Sequence, residues 1–174
     1  MQSSEAAMAL FQRWGFDWKH WYRGDRGEYW LLAQLVLLVA LVLVPRWAIP
    51  IAADWIVWRW AIAIPFLIMG AGLAIAGLRF LGDSLSPLPA PHAESTLVQT
   101  GIYAWIRHPL YSGLMIGSLG WAIALWSLSQ AAVSLALIGV LIGKARLEER
   151  WLRDRYSDYV DYQTRVKAFI PGLI

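Results

Sequence analysis

Arg107, His108 and Pro109 lie near the middle of the stretch GIYAWIRHPLYSG, which runs from Gly101 to Gly113, and Glu148 and Glu149 follow about 35 residues after it. An arginine takes a carboxylate through two parallel N–H bonds, and a glutamate accepts from an ammonium or from ribose hydroxyls. A histidine or a glutamate can also take a proton from a reacting group. These residue types together suit a zwitterionic ligand. Tyr103, Trp105 and Tyr111 add flat faces for a base or a cation. A simpler alternative is that Arg107 pairs with Glu148 or Glu149 only to fasten two helices together.

Two helices are needed to bring these groups to one place. Proline suits the first position of a helix and disfavours helical dihedrals in the residue before it, so a helix is predicted to start at Pro109. An apolar run from Pro109 to Trp126, the turn Ser127-Leu128-Ser129 and a second apolar run from Gln130 to Leu147 read as a helical hairpin. Each arm would be about 27 Å long at about 1.5 Å per residue, which returns Glu148 and Glu149 to the level of Arg107 and His108. Gly113 with Gly117, and Gly139 with Gly143, are spaced for close helix packing.

The chain around this hairpin has a membrane composition. Of 174 residues, 59% are hydrophobic and 12 are tryptophan, and the mean hydropathy is +0.48; these place it outside the usual soluble range. It contains no cysteine, which excludes disulfides, thiolate catalysis and cysteine-bound metal. His20, His92 and His108 lack metal-ligand spacing, so no metal site is expected. The net charge of +3 comes from basic residues set beside apolar runs. Contact with membrane lipids explains them better than nucleic-acid binding.

The organisation predicted is all-α, an integral-membrane bundle of four transmembrane helices forming one domain across residues 1–174. Residues 1–28 mix Phe11, Trp14, Phe16, Trp18 and Trp21 with Arg13, Lys19, Arg23 and Arg26, as an interfacial segment does. Residues 29–81 hold the first two spans, Tyr29 to Val44 and about Trp60 to Leu81, with Pro65 as a kink and Gly70, Ala74 and Gly77 as a small-residue face. Residues 82–108 form a proline-rich loop expected to close over the ligand, residues 109–147 the hairpin, and residues 148–174 a tail with a helix outside the membrane. All but Arg46 and Arg59 of the 15 lysines and arginines fall on one side of this topology. The positive-inside rule then puts both termini and the loop in the cytoplasm, with the site facing it.

These motifs also carry a resemblance. The run Leu97-Val98-x-x-Gly101-x-Tyr103-x-x-x-Arg107-His108-Pro109-x-Tyr111-x-Gly113, the hairpin with Glu148-Glu149, and the closing Tyr159-x-x-Tyr162-x-x-x-Val166-x-x-Phe169-Ile170-Pro171-Gly172 resemble the isoprenylcysteine carboxyl methyltransferase and phospholipid methyltransferase superfamily. The resemblance implies S-adenosylmethionine as methyl donor and a lipophilic acceptor, an isoprenylcysteine-type carboxylate above all. It makes Arg107, His108, Tyr111, Gly113, Glu148 and Glu149 cofactor-site residues, to which the flat face of Tyr103 is added, with Glu148, Glu149 and His108 the candidates for moving a proton should the acceptor carry one. Membrane sterol reductases that bind NADPH show a similar arginine-histidine-proline pattern. They carry asparagine after the proline and cysteine after the acidic pair, where this chain has Leu110 and Glu149-Arg150-Trp151. A membrane scaffold would account for the glycine pairs but not for the convergent charges.

Overall fold

The computed structural model describes residues 21–50, 55–92 and 94–173. Among them are five α-helices: α1 (Glu28–Leu43), α2 (Trp55–Leu81), α3 (Pro109–Leu125), α4 (Leu128–Arg155) and α5 (Tyr159–Arg165). Strands are absent from the described residues, where only isolated bridges pair Ala48 with Ser127 and Ile106 with Lys167. The aromatic and basic residues expected at the membrane interface lie mostly in 1–20, outside the described residues.

Local chemistry sets the boundaries. Helix α1 ends before Pro45, which cannot continue it. Helix α3 starts on Pro109 at its first position, as predicted, and ends where Trp126 takes a left-handed conformation with φ 49°. Helix α2 begins already at Trp55, ahead of the Trp60 expected from the apolar run, and carries Pro65 inside it. Helix α4 runs without a break past Leu147 to Arg155 and so carries the polar Glu148-Glu149 turn on the same rigid rod as its apolar part.

Close packing of α2 on α3 depends on glycine. A Cβ on Gly113 would stand 2.6 Å from the Gly70 carbonyl oxygen, and one on Gly70 would stand 2.7 Å from the Gly113 oxygen. No side chain fits at either position. Helix α1 lies along α4, where the Trp30 ring covers Gly143, while Gly139 has nothing within 4 Å. A small apolar core of Leu41, Met115, Leu137 and Leu141 joins α1, α3 and α4. The outer faces stay apolar and exposed, with Val36, Val39, Val42, Ile62, Ile68 and Leu135 among the exposed side chains. Two helical stretches, Trp55–Ser84 and Leu128–Arg155, are long and apolar enough to cross a membrane; Glu28–Leu43 and Pro109–Leu125 are apolar but shorter.

The proline-rich loop is packed rather than splayed. Leu88, Ala90 and His92 are buried, and His92 Nε2 lies 3.0 Å from the Asp83 carbonyl oxygen. After α5 the chain turns back, and the Arg107 and His108 amides donate to the carbonyls of Lys167 and Ala168, both at 2.9 Å. This fold-back places the tail directly over the start of α3.

Candidate active site

The hairpin brings Arg107 and His108 onto the glutamate pair, but the two glutamates do different work. Arg107 Nε and Nη2 donate to Glu149 Oε1 at 3.0 and 2.6 Å, and His108 Nε2 meets the same oxygen at 3.1 Å. A carboxylate only accepts, so this contact places a proton on Nε2. The second oxygen of Glu149 accepts from Gln163 Nε2 at 2.8 Å. Arg107 Nη1 donates to the carbonyls of Gln163, at 3.2 Å, and Val166. Four of the five guanidinium N–H groups are thereby used, and a single Nη2–H remains. The Arg107–Glu149 pair therefore ties α3, α4 and the returning tail together.

Glu148 is the more open carboxylate, its side chain 27% exposed against 11% for Glu149. Its Oε2 accepts from the Tyr111 hydroxyl at 2.7 Å and lies 3.9 Å from His108 Nδ1. The Tyr111 ring stacks on the His108 ring, with centroids 5.3 Å apart and planes 8° from parallel. The Phe169 ring lies tilted beside His108 at 5.7 Å, and the Phe169 carbonyl accepts from the Ser112 hydroxyl at 2.9 Å. Helix start, helix end and tail thus all contact the imidazole.

Two cavities meet at this cluster. The larger, about 270 Å³, lies between α1, α2, α3 and α4 and has leucine walls that include Leu31, Leu78, Leu81 and Leu110. The smaller, about 70 Å³, lies under the proline-rich loop and reaches Tyr159 and Tyr162. Tyr103, Arg107 and Glu148 line both. In the smaller one the Tyr159 hydroxyl is buried and has no hydrogen-bond partner. Burial and the charge of Glu149 hold that phenol well above its ordinary pKa, so it is a neutral donor awaiting an acceptor. Tyr162, raised to about 12 by burial, is by contrast satisfied: its hydroxyl donates to the Tyr103 carbonyl at 2.6 Å.

Of the residues singled out in the sequence, Arg107, His108, Tyr111, Glu148 and Glu149 come together, and Tyr103 forms the partition beside them. Gly113 stands apart, packed on Gly70 and Ala74 of α2. Trp105 is 69% exposed and turned away from the cluster. Lys144 and Gln34 were not recognised as site residues. Lys144 is buried and donates to Gln34 Oε1 at 2.7 Å and to the Pro87 carbonyl at 2.9 Å. The available signal was spacing: Lys144 precedes Glu148 by one helical turn, so both share a face.

Comparison with known proteins places the chain in a family. The phospholipid methyltransferase family matches residues 58–159, and the chain belongs to that family. It is 31% identical over 113 residues to the protein-S-isoprenylcysteine O-methyltransferase of Saccharomyces cerevisiae, covering 60% of this chain and 46% of the relative. It is also 39% identical over 82 residues to the cobalt-zinc-cadmium resistance protein CzcN of Cupriavidus metallidurans, covering 46% of this chain and 38% of that one. A solved eukaryotic intramembrane Ras methyltransferase, an isoprenylcysteine carboxyl methyltransferase, superposes with a TM-score of 0.62 at 27% identity, covering 83% of this chain and 52% of that one. The chain spans about half the length of these curated relatives or less. Family, all-helical fold and apolar helices together define an integral-membrane protein.

Proposed function

We propose that this chain is a membrane methyltransferase that uses S-adenosylmethionine to methylate a lipophilic acceptor, an isoprenylcysteine-type carboxylate. One observation carries the reading: a smaller cavity with an unsatisfied hydroxyl donor and a larger, leucine-walled cavity share a wall that includes Tyr103, Arg107 and Glu148. A reaction between a water-soluble donor and a lipid needs two such spaces with one point of contact. The donor set fits the cofactor. Tyr159 offers a hydroxyl and Arg107 its last N–H to acceptor groups, and Glu148 offers an acceptor to an ammonium or a sugar hydroxyl. Bound there, S-adenosylmethionine would supply a methyl group to a carboxylate oxygen and leave as the neutral thioether, with no proton to be moved.

The chain's own residues then have chiefly to align and to exclude water. Arg107 and Glu149 hold the walls in register, the His108–Tyr111 stack orients Glu148, and the proline-rich loop roofs both cavities. Because a carboxylate acceptor arrives ionised, neither Glu148 nor His108 has to act as a base. Four spans with the site facing the cytoplasm complete this reading. They are supported by the charge partition of the sequence and by the polar turn that α4 extends past its apolar part.

Calorimetric titration of the purified chain with S-adenosylmethionine tests the cofactor, and transfer of labelled methyl to N-acetyl-S-farnesylcysteine tests the acceptor. Micromolar binding and label in the lipid fraction are expected; binding of NADPH in place of S-adenosylmethionine would overturn the reading. The absence of native cysteine allows a clean topology test. Single-cysteine variants at Ser157 and Ala48 should be labelled from the cytoplasmic and the opposite side respectively, and labelling of both from one side would refute four spans.

A further inference from the structure

The larger cavity contains a cation that the charge cluster around Arg107 leaves unused. Lys144 is 2% exposed, and its ammonium contacts the Gln34 side-chain oxygen, the Pro87 carbonyl and, at 5.3 Å, the Tyr111 ring. All three partners are neutral. The carboxylates of the site are engaged elsewhere, Glu149 by Arg107, His108 and Gln163 and Glu148 by Tyr111, and none of the ion pairs among the described residues of the site includes Lys144. A buried ammonium whose direct partners are all neutral, with its nearest carboxylate, Glu148, one helical turn away and bonded to Tyr111, is costly. Holding the loop to α1 does not require one, since at the far end of the hairpin Ser129 and Gln130 hold the end of α1 with neutral groups.

Two charged residues of α4, Glu148 and Lys144, are also distributed unequally between the cavities. Glu148 lies on the shared wall, whereas Lys144 lines the larger, leucine-walled cavity and not the smaller. The negative group therefore borders the space assigned to a cationic sulfonium donor, and the positive group borders only the space assigned to the acceptor. Gln34 and Pro87 use two of the three ammonium protons, and the third is left for a ligand.

On the methyltransferase reading above, we infer that Lys144 determines acceptor specificity: its ammonium pairs with an anionic head group, a carboxylate carried on a long apolar tail, while the tail lies along the leucine wall. The same charge disfavours an amine head, which would enter protonated. Lys144 is thus the residue that separates carboxyl methylation from amine methylation on this scaffold.

The test is equilibrium binding to the full chain in detergent, saturated with S-adenosylhomocysteine, of N-acetyl-S-farnesylcysteine and of its methyl ester, in which one added methyl removes the charge of the head. The wild-type chain should bind the acid about tenfold more tightly than the ester, the value of one charge-assisted hydrogen bond. Lys144→Met should reduce that ratio to near one with affinity for the ester and for S-adenosylhomocysteine unchanged. Lys144→Gln keeps a donor for Gln34 and Pro87 while removing the charge. It should lose the ratio too, and it serves as the decisive variant should Lys144→Met not fold. Equal binding of acid and ester by the wild-type chain, persistence of the preference in Lys144→Gln, or equal weakening of both ligands as expected of a mere loop latch, would each overturn the assignment while leaving the methyltransferase reading intact. Failure of the wild-type chain to bind S-adenosylhomocysteine would instead overturn that broader reading.

Discussion

The two ends of the α3–α4 hairpin are both polar, and they behave differently. At the turn, Gln130 Nε2 donates to the Val44 carbonyl at 3.0 Å, Ser129 Oγ donates to the Pro45 carbonyl at 2.8 Å and accepts from the Trp47 amide at 2.9 Å. Every partner is a neutral backbone group in the segment just past the end of α1. A cavity of about 200 Å³ adjoins this turn, and no charged side chain lines it. At the mouth, the same two helices carry Arg107, His108, Glu148, Glu149 and Lys144. There the hydrogen-bonding capacity is not exhausted: the Tyr159 hydroxyl is unpaired, Glu148 is partly open, and Lys144 has only neutral partners. A polar cluster that uses its groups up on its own backbone is a fastener. One that is left with donors, acceptors and charge facing a cavity keeps the capacity to bind a ligand.

The mouth itself contains both kinds, and mutation should separate them. The largest effect is expected from Glu149→Ala, which leaves Arg107 buried without its counter-ion and should cost about 3–5 kcal/mol. Tryptophan fluorescence during thermal unfolding in detergent measures it. Replacing both partners, Arg107→Met with Glu149→Leu, should cost less than the single change, because no uncompensated charge remains. A double variant as unstable as the single one would show that the tail contacts of Arg107, not the pair, hold the mouth closed.

The next effect concerns the frame. Gly113→Ala drives a methyl into backbone 2.6 Å away and should cost about 1–3 kcal/mol. Gly139→Ala, with nothing within 4 Å, should be neutral or up to about 1 kcal/mol stabilising, since alanine is the better helix former. Equal effects at the two positions would mean that the helix contacts are not as tight as described.

Ligand-facing groups should give smaller effects, and on binding only. Glu148→Ala should fold normally and lose about 10- to 100-fold in affinity for S-adenosylhomocysteine, the range of a hydrogen bond to a charged group. A stability loss like that of Glu149→Ala would instead make Glu148 a second fastener. Tyr159→Phe removes the orphan hydroxyl and should lower the same affinity about 3- to 10-fold without lowering the unfolding temperature. The smallest effect belongs to the turn, where Ser129→Ala should reduce stability by about 1 kcal/mol and leave ligand affinity unchanged.

Much of this was legible in the residues alone. Proline positions and apolar run lengths were enough to predict an antiparallel hairpin of nearly equal arms, and equal arms oblige Glu148 and Glu149 to return to the level of Arg107 and His108. The apolar composition required a membrane bundle, and the glycine spacing placed α3 close to a neighbour.

Only the tertiary structure decided which glutamate does which work. Neighbouring residues on a helix point about 100° apart, so the rotation of α4 about its own axis chooses between Glu148 and Glu149 as the partner of Arg107. That rotation is set by packing, through the covering of Gly143 by Trp30 and the buried Leu137 and Leu141, none of which a motif records. The same rotation turns Lys144 toward Gln34 and the cavity rather than toward lipid. The remaining partners of Arg107, the carbonyls of Gln163 and Val166, are backbone atoms that every residue possesses. No sequence pattern marks such atoms, and they become ligands of a guanidinium only because the tail folds back over α3.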